Sequence, residues 1–387
     1  MTLRLTRLAI TDFRNYAALT WRPTSRVCVF TGPNGSGKTN LLEAVSMLVP
    51  GRGLRNARLT DLPRQGGPGS WGVAARLSRG GEITEIGTGT LPDGSGDRRV
   101  FRLDGDAPRN QAQIAARVAA VWLTPQMDRL FLEGASGRRR FLDRLVWALE
   151  PGHAREVAAH DAAMTRRNRL LAGGDADPAW VAALEDSMAR HAVAATAARA
   201  ALVARLNATL AEGGAGGFPP ARLLLLDPIA DRLATDPALT VEDWLRSALA
   251  EARSGDAAAG SSSLGAHRAD MGLADADTGL PAALASTGQQ KALLVGVVLG
   301  HAALIAQARG FAPLLLLDEP VVHLDAPRRA ALFAALAALP AQALLTGTDA
   351  EMFTPLQGVA EGVRTGGGAL RPDPAFPPPG AVFCGLE

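Results

Sequence analysis

The sequence predicts an α/β protein: a parallel-sheet core, an antiparallel β subdomain beside it, and a helical arm inserted into the middle of the chain. Three observations carry this. The apolar run Val27 to Phe30 leads into GPNGSGKT, Gly32 to Thr39, and then an amphipathic stretch, which is the order strand, phosphate loop, helix. A second apolar run, Leu314 to Leu317, ends in Asp318 and Glu319, as a fully buried parallel strand does when it delivers acids to the sheet edge where ligands bind. Between the two, residues 138–171 and 179–212 are rich in Ala, Leu and Arg at helical spacing, as in Leu142, Leu145 and Leu149 and again in Leu202, Leu206 and Leu210.

The elements follow in order. Leu3, Leu5, Leu8 and Ile10 alternate with polar positions and predict a half-buried strand, followed by Phe13-Arg14-Asn15-Tyr16 and a short strand near Leu19 to Trp21. In the phosphate loop, Gly32, Pro33, Asn34, Gly35, Ser36 and Gly37 turn backbone N–H groups toward the α- and β-phosphates. Lys38 reaches the β/γ oxygens, Thr39 offers a hydroxyl to Mg²⁺, and the helix running through Asn40 adds its positive end. An ATP-type nucleotide with Mg²⁺ is the expected ligand. Gly51 to Arg55 form a basic turn. From Trp71 to Gly105 short β-like runs (residues 72–77, 82–86 and 98–103) alternate with Gly-rich turns and predict the antiparallel sheet.

The helical arm is expected as an antiparallel hairpin broken at Ala172 to Pro178 and ended by Gly213 to Pro220, with Leu223 to Leu226 a strand returning toward the body. Ser254 to Ser263, SGDAAAGSSS, predicts a linker, and a second α/β segment resumes after it. The expected boundaries are 1–125 and 259–365 for the two parts of the ATPase head, 126–258 for the arm, and 366–387 for a flexible tail.

Composition narrows the class. At 387 residues, 47% hydrophobic and 20% charged, the chain is an ordinary soluble protein. Its two cysteines, Cys28 and Cys384, lie at opposite ends and imply no disulfide framework, which suits a reducing, cytoplasmic compartment. The N-terminus lacks the unbroken apolar core of a signal peptide, and the apolar run Ala292 to Ala308 is expected as a buried helix, so no membrane association is expected. A net charge of +2 is too mild to argue for nucleic acid unaided. Of 40 basic residues only Lys38 and Lys291 are lysines. At Lys38 a compact ammonium fits among phosphates where a planar guanidinium is too wide.

In the distal half, Asp318 is placed to hold Mg²⁺ and Glu319 to orient or deprotonate the attacking water. Ser286-Thr287-Gly288-Gln289-Gln290-Lys291 precedes the long apolar helix, and Asp325 follows Asp318 by seven residues. A serine hydroxyl, a glycine N–H and a helix N-terminus make a second anion cradle; a plain helix N-cap by Ser286 is the alternative. This ordered set resembles the ABC-type ATPase family, in which the signature, here Ser286, Gly288 and Gln289, caps the nucleotide of the other subunit and Asp325 is the D-loop aspartate. Gln126, after Pro125, is the candidate for the glutamine that senses Mg²⁺ and water. The segment where a switch histidine would fall reads Leu345-Thr346-Gly347-Thr348-Asp349, without one.

The phrases FRNY at 13–16, GKTNLLEA at 37–44, GRGLR at 51–55, GRRRFLD at 137–143, GAHRADM at 265–271 and STGQQK at 286–291 together resemble the bacterial RecF family. The resemblance implies an SMC-like head with an inserted arm, a slow DNA-stimulated ATPase that dimerises around ATP. It implies binding of double-stranded and gapped DNA near single-strand junctions, and work with RecR and RecO to help RecA load. Arg52, Arg55 and Arg58, and Arg138, Arg139, Arg140 and Arg144, are the expected phosphate-contacting clusters; ordinary solvated helix faces are the alternative. A transporter's nucleotide-binding subunit shares the loop, signature and acidic strand, but it predicts neither the arm nor FRNY.

Overall fold

The computed structural model describes residues 1–91, 98–174, 177–214 and 216–376. In chain order the elements are strands β1 (Leu3–Phe13), β2 (Tyr16–Trp21) and β3 (Val27–Thr31), helix α1 (Lys38–Ser46), strands β4 (Gly72–Arg79), β5 (Glu82–Thr90) and β6 (Arg99–Leu103), helix α2 (Gln111–Arg117) and strand β7 (Ala120–Leu123). Next come helices α3 (Ala135–Leu149), α4 (His153–Ala172) and α5 (Pro178–Thr209), strand β8 (Ala221–Leu226), helices α6 (Pro228–Leu233), α7 (Ala238–Glu251) and α8 (Arg253–Ala259), and strand β9 (Asp270–Asp275). Then follow α9 (Thr287–Arg309), β10 (Leu314–Leu317), α10 (Ala326–Ala338), β11 (Ala343–Gly347), β12 (Ala360–Gly366) and β13 (Ala369–Pro372). The chain forms two compact units, one of Met1–Asp128, Glu212–Pro220 and Ser286 onward, the other of Arg129–Ala211 and Ala221–Ala285.

The first unit carries two sheets. One is six-stranded, in the order β13-β12-β3-β11-β10-β7, parallel except for the β12/β13 pair. Every residue of β3, β10, β11 and β7 is buried, as unbroken apolar runs in a parallel sheet covered on both faces require. The other sheet is antiparallel, in the order β2-β1-β4-β5-β6, and β1 buries Leu3, Leu5, Leu8 and Ile10 in the predicted alternation. The apolar stretch Ala292 to Ala308 lies within α9. Among the described residues α9 is the one helix long and apolar enough to cross a membrane, yet most of its surface is buried inside the unit, where it packs on β7.

The second unit is mainly helical, with α4 and α5 packed along each other and β8 paired antiparallel to β9. Its interior holds charge as well as apolar side chains. The fully buried Arg167 guanidinium donates to Glu185 at 2.9 Å, Asp256 at 2.6 Å, Ser262 at 3.0 Å and the Leu249 carbonyl at 2.7 Å. Arg199 grips Asp143 with bonds of 2.7 and 2.9 Å, and His153 Nε2 lies 2.8 Å from the same carboxylate. Buried ions of this kind persist where the charges are paired and hydrogen-bonded to one another.

Several expectations change. The first arm helix is two, because the chain turns extended at Glu150 and Pro151 then lacks an N–H to continue. Leu223 to Leu226 belong to β8, which pairs with β9 inside the second unit. The stretch Ser254 to Ser263 is α8 and its closing turn: Asp256 is buried on Arg167, and Gly260 ends the helix at φ 65°. Residues 265–271 fall in the second unit. The expected tail begins within β12 and continues as β13, and Phe376 is 2% exposed. The arm break at Asp175-Ala176 and the tail beyond Phe376, including Cys384, lie outside the described residues.

Candidate functional site

The β1/β2 hairpin tip, Phe13 to Tyr16, supports the phosphate loop from beneath. Arg14 adopts φ 54°, which turns the chain tightly and points successive side chains at the loop and α1. The Tyr16 hydroxyl donates to the Gly37 carbonyl at 3.0 Å; burial pushes its pKa up to about 12, so it stays a donor. Asn15 donates to the Ser36 carbonyl at 3.3 Å and accepts from Asn40 at 2.7 Å. Arg14 makes two 2.8 Å bonds to Glu43, a wholly buried carboxylate on α1, and Arg55 reaches Glu43 at 3.1 Å and Asn40 at 2.7 Å. Phe13 and Tyr16 are core residues, both 0% exposed.

The loop glycines have specific causes. Gly37 lies at φ 108°, and a Cβ there would stand 2.4 Å from Asn15 Nδ2. At Gly32, φ 146°, a Cβ would meet the Thr365 carbonyl at 2.6 Å. Lys38 is 5% exposed and its ammonium donates to the carbonyls of Gly32 at 2.6 Å and Pro33 at 3.0 Å, across the mouth of the loop. Burial pushes the Lys38 pKa down, opposed by the charges of Glu319 and Asp318. Pro33, Asn34, Gly35 and Ser36 complete the turn, with Gly35 at φ 79° and the Ser36 and Thr365 hydroxyls 2.6 Å apart.

Strand order brings the second half of the site to the same sheet edge. β3 neighbours β11, and β11 neighbours β10, so the loop after β3 and the acids after β10 are one strand apart. Thr39 donates to Asp318 Oδ1 at 2.9 Å, and Thr346 at the end of β11 donates to the same oxygen at 2.7 Å. The Thr346 oxygen also accepts from the Glu319 N–H at 2.9 Å, and Glu319 holds φ 48°. Gln126 is exposed in the turn after β7, whose Leu123 carbonyl accepts from the Asp318 N–H at 2.9 Å. A hydroxyl beside a carboxylate suits Mg²⁺, which draws on one or two protein oxygens and completes its shell with water and phosphate. Among the described residues no cluster of three His, Cys, Asp or Glu could hold a metal alone.

Ser286 caps α9 in a capping box: its hydroxyl accepts from the Gln289 N–H at 3.4 Å, and Gln289 Oε1 accepts from the Ser286 N–H at 2.9 Å. The N-cap alternative is thus present in the structure, and it leaves Ser286 and Gln289 exposed on the surface. At Gly288 a Cβ would lie 3.0 Å from the His323 carbonyl, so glycine permits the close approach of the turn before α10. His323 turns there at φ 65°, and exposed Asp325 caps α10 by accepting from the Arg328 N–H at 2.9 Å.

The arginine clusters divide. Arg52, Arg58 and Arg140 are exposed, whereas Arg55 is engaged with Glu43, Arg138 with Asp270 through two 2.8 Å bonds, and Arg139 with the Ala269 carbonyl. Arg144 lies over the Phe141 ring, and burial pushes its pKa down to about 9. These pairings leave Arg52, Arg58 and Arg140 as the exposed members of the two clusters. Sequence reasoning did not single out Glu43, Thr346, Thr365 or Asp128. Only Glu43 carried a signal, a lone acid inside the apolar helix LLEAV.

A phosphate loop and an acid-ended strand on one edge of a parallel sheet, flanked by an antiparallel subdomain, make an ABC-type P-loop ATPase head of the SMC kind. The family model described as RecF/RecN/SMC N terminal domain matches residues 4–365. A DNA replication and repair protein RecF from Mesorhizobium japonicum is 46% identical over 370 residues, 95% of this chain and 97% of the relative. One from Agrobacterium fabrum is 47% identical over 356 residues, 91% and 94% of the two chains. A solved structure described as the recombination mediator protein RecF-ATPrS in the RecFOR pathway superposes with a TM-score of 0.82 at 18% identity, covering 96% of this chain and 98% of that one. The chain belongs to the RecF family.

Proposed function

We propose that this protein is a cytoplasmic, ATP-dependent DNA-binding protein of recombinational repair and replication-gap processing, a slow ATPase whose nucleotide holds two copies together. The observation that carries the ATPase reading is the Thr39–Asp318–Thr346 cluster, which joins the phosphate loop to the acid-ended strand. In this reading residues Gly32 to Asn40 bind ATP, with Lys38 leaving the Gly32 and Pro33 carbonyls for the β/γ oxygens. Thr39, Asp318 and Gln126 would hold Mg²⁺, which would supply positive charge to the phosphates. Glu319 orients or deprotonates the attacking water. Ser286, Gly288 and Gln289 cap the γ-phosphate bound by the second copy, and Asp325 lies at the seam between copies.

The names of the relatives support the repair role, and the superposed structure is described as acting in the RecFOR pathway. In this reading the protein works with RecR and RecO to help RecA load. The DNA partner is a double-stranded or gapped duplex held through its backbone near single-strand junctions, with exposed Arg52, Arg58 and Arg140 the remaining contacts of the two clusters. The test is fluorescence anisotropy of a gapped duplex with Glu319→Gln protein, with and without ATP, across a salt titration. Tighter binding only with ATP, weakening as salt rises, supports the clamp. Binding indifferent to ATP refutes it.

A further inference from the structure

Lysine is nearly absent from this chain, and its two occurrences share a neighbourhood. Lys291 sits on α9 five residues past Ser286 and is 1% exposed. Its ammonium donates to the Glu319 carbonyl at 3.1 Å and pairs with Asp128 Oδ2 at 3.4 Å. Burial pushes its pKa down, while the charges of Asp128, Glu319 and Asp318 work the other way. An isolated ammonium in that position would be strongly disfavoured.

The Glu319 peptide is held from both ends. Thr346 accepts from its N–H at 2.9 Å, and Lys291 takes its carbonyl. Between those two anchors the residue stands at φ 48°, a conformation that a side-chain-bearing residue keeps only when its surroundings over-determine it. The direction of the Glu319 Cα–Cβ bond, from which the carboxylate projects, follows from that backbone conformation. Asp128 lies two residues beyond Gln126 in the turn after β7, so one ammonium ties together the signature helix, the Gln126 turn and the Glu319 peptide.

We propose that Lys291 is a positioning residue for ATP hydrolysis: it fixes the Glu319 peptide, aims the Glu319 carboxylate and couples it to the helix that begins at Ser286. This rests on the proposed role of Glu319 in hydrolysis. Lys291 is buried and its ammonium is engaged with the Glu319 carbonyl and Asp128, so in this proposal its removal acts on the rate and spares binding.

The experiment compares steady-state ATP turnover and ATP affinity in the wild type, Lys291→Met, Lys291→Gln and Glu319→Gln. Lys291→Met lowers kcat by about 10- to 100-fold, the effect of a reacting group displaced by a fraction of an ångström to 1 Å, and leaves the Kd for ATP within about twofold. Lys291→Gln keeps a donor for the Glu319 carbonyl and recovers part of the loss, whereas a residue that only fills space would show no such rescue. If Lys291→Met unfolds, Lys291→Gln still carries the test through its split between kcat and Kd. Wild-type kcat in a folded Lys291 variant, or equal losses in kcat and ATP affinity, overturns the proposal. Wild-type turnover in Glu319→Gln overturns the underlying role of Glu319 instead, which separates the two failures.

Discussion

Replacing Arg14 by Met isolates what the FRNY turn contributes. Glu43 is a wholly buried carboxylate one turn into α1, and Arg14 supplies two of its three guanidinium bonds, both 2.8 Å, leaving Arg55 at 3.1 Å. Breaking a buried pair typically costs about 3–5 kcal/mol because one charge stays behind unpaired. Here the Arg14 side chain keeps 21% exposure and Arg55 remains, so an expected loss of about 2–3 kcal/mol is the reasonable discount. Urea unfolding followed by circular dichroism reads that loss as a lower midpoint. Replacing both partners by Met removes the stranded charge and recovers most of it. A loss below about 0.5 kcal/mol in Arg14→Met, or a double variant no better than the single, refutes the reasoning.

Two further outcomes test other parts of the account. Gly37→Ala forces a Cβ to 2.4 Å from Asn15 Nδ2 at φ 108°, so ATP affinity measured by calorimetry falls at least about tenfold while the second unit's melting is unchanged. In the second unit, burial raises the pKa values of Asp143 and Asp256. The bonds from His153 and Arg199 to Asp143, and from Arg167 and Ser263 to Asp256, outweigh it and leave both below the usual carboxylate range. The unfolded chain then binds more protons than the folded one below about pH 4, so this stability is complete above that pH and is lost as pH falls through the folded values. Thermal melts followed by circular dichroism from pH 6 to pH 3 show the decline, and Arg199→Met flattens the part due to Asp143.

The phosphate loop, the acidic strand and the signature were legible because each is set by local spacing on a known element: Gly32 to Thr39 follows a strand, and Asp318 ends one. Their convergence was legible only as a pattern, since the β3-β11-β10 order that brings Thr39 to Asp318 is not written in any one segment. Pairing between distant side chains was not legible at all. Arg55 and Arg138 count as basic in the sequence, and the structure engages both on carboxylates 12 and 132 residues away. The segment SGDAAAGSSS has a linker's composition, but Asp256 and Ser262 within it both bond the buried Arg167, a pairing no local pattern announces. Thr346 lay in the segment noted for lacking a histidine, and its hydroxyl supports both acids.

The split site is tested most directly by mixing two variants that are each inactive. Lys38→Met removes the phosphate-loop ammonium, and Ser286→Arg blocks the signature. In a mixed dimer the Ser286→Arg copy offers an intact loop and the Lys38→Met copy an intact signature, so one complete site re-forms. Each mixed dimer has one site in two restored, so the equimolar mixture regains about a quarter of wild-type ATP turnover if copies pair at random and up to about half if the one complete site makes mixed pairs the only ones that form. A mixture that stays inactive, or a Ser286→Arg protein that keeps wild-type turnover alone, contradicts a nucleotide site shared between two copies.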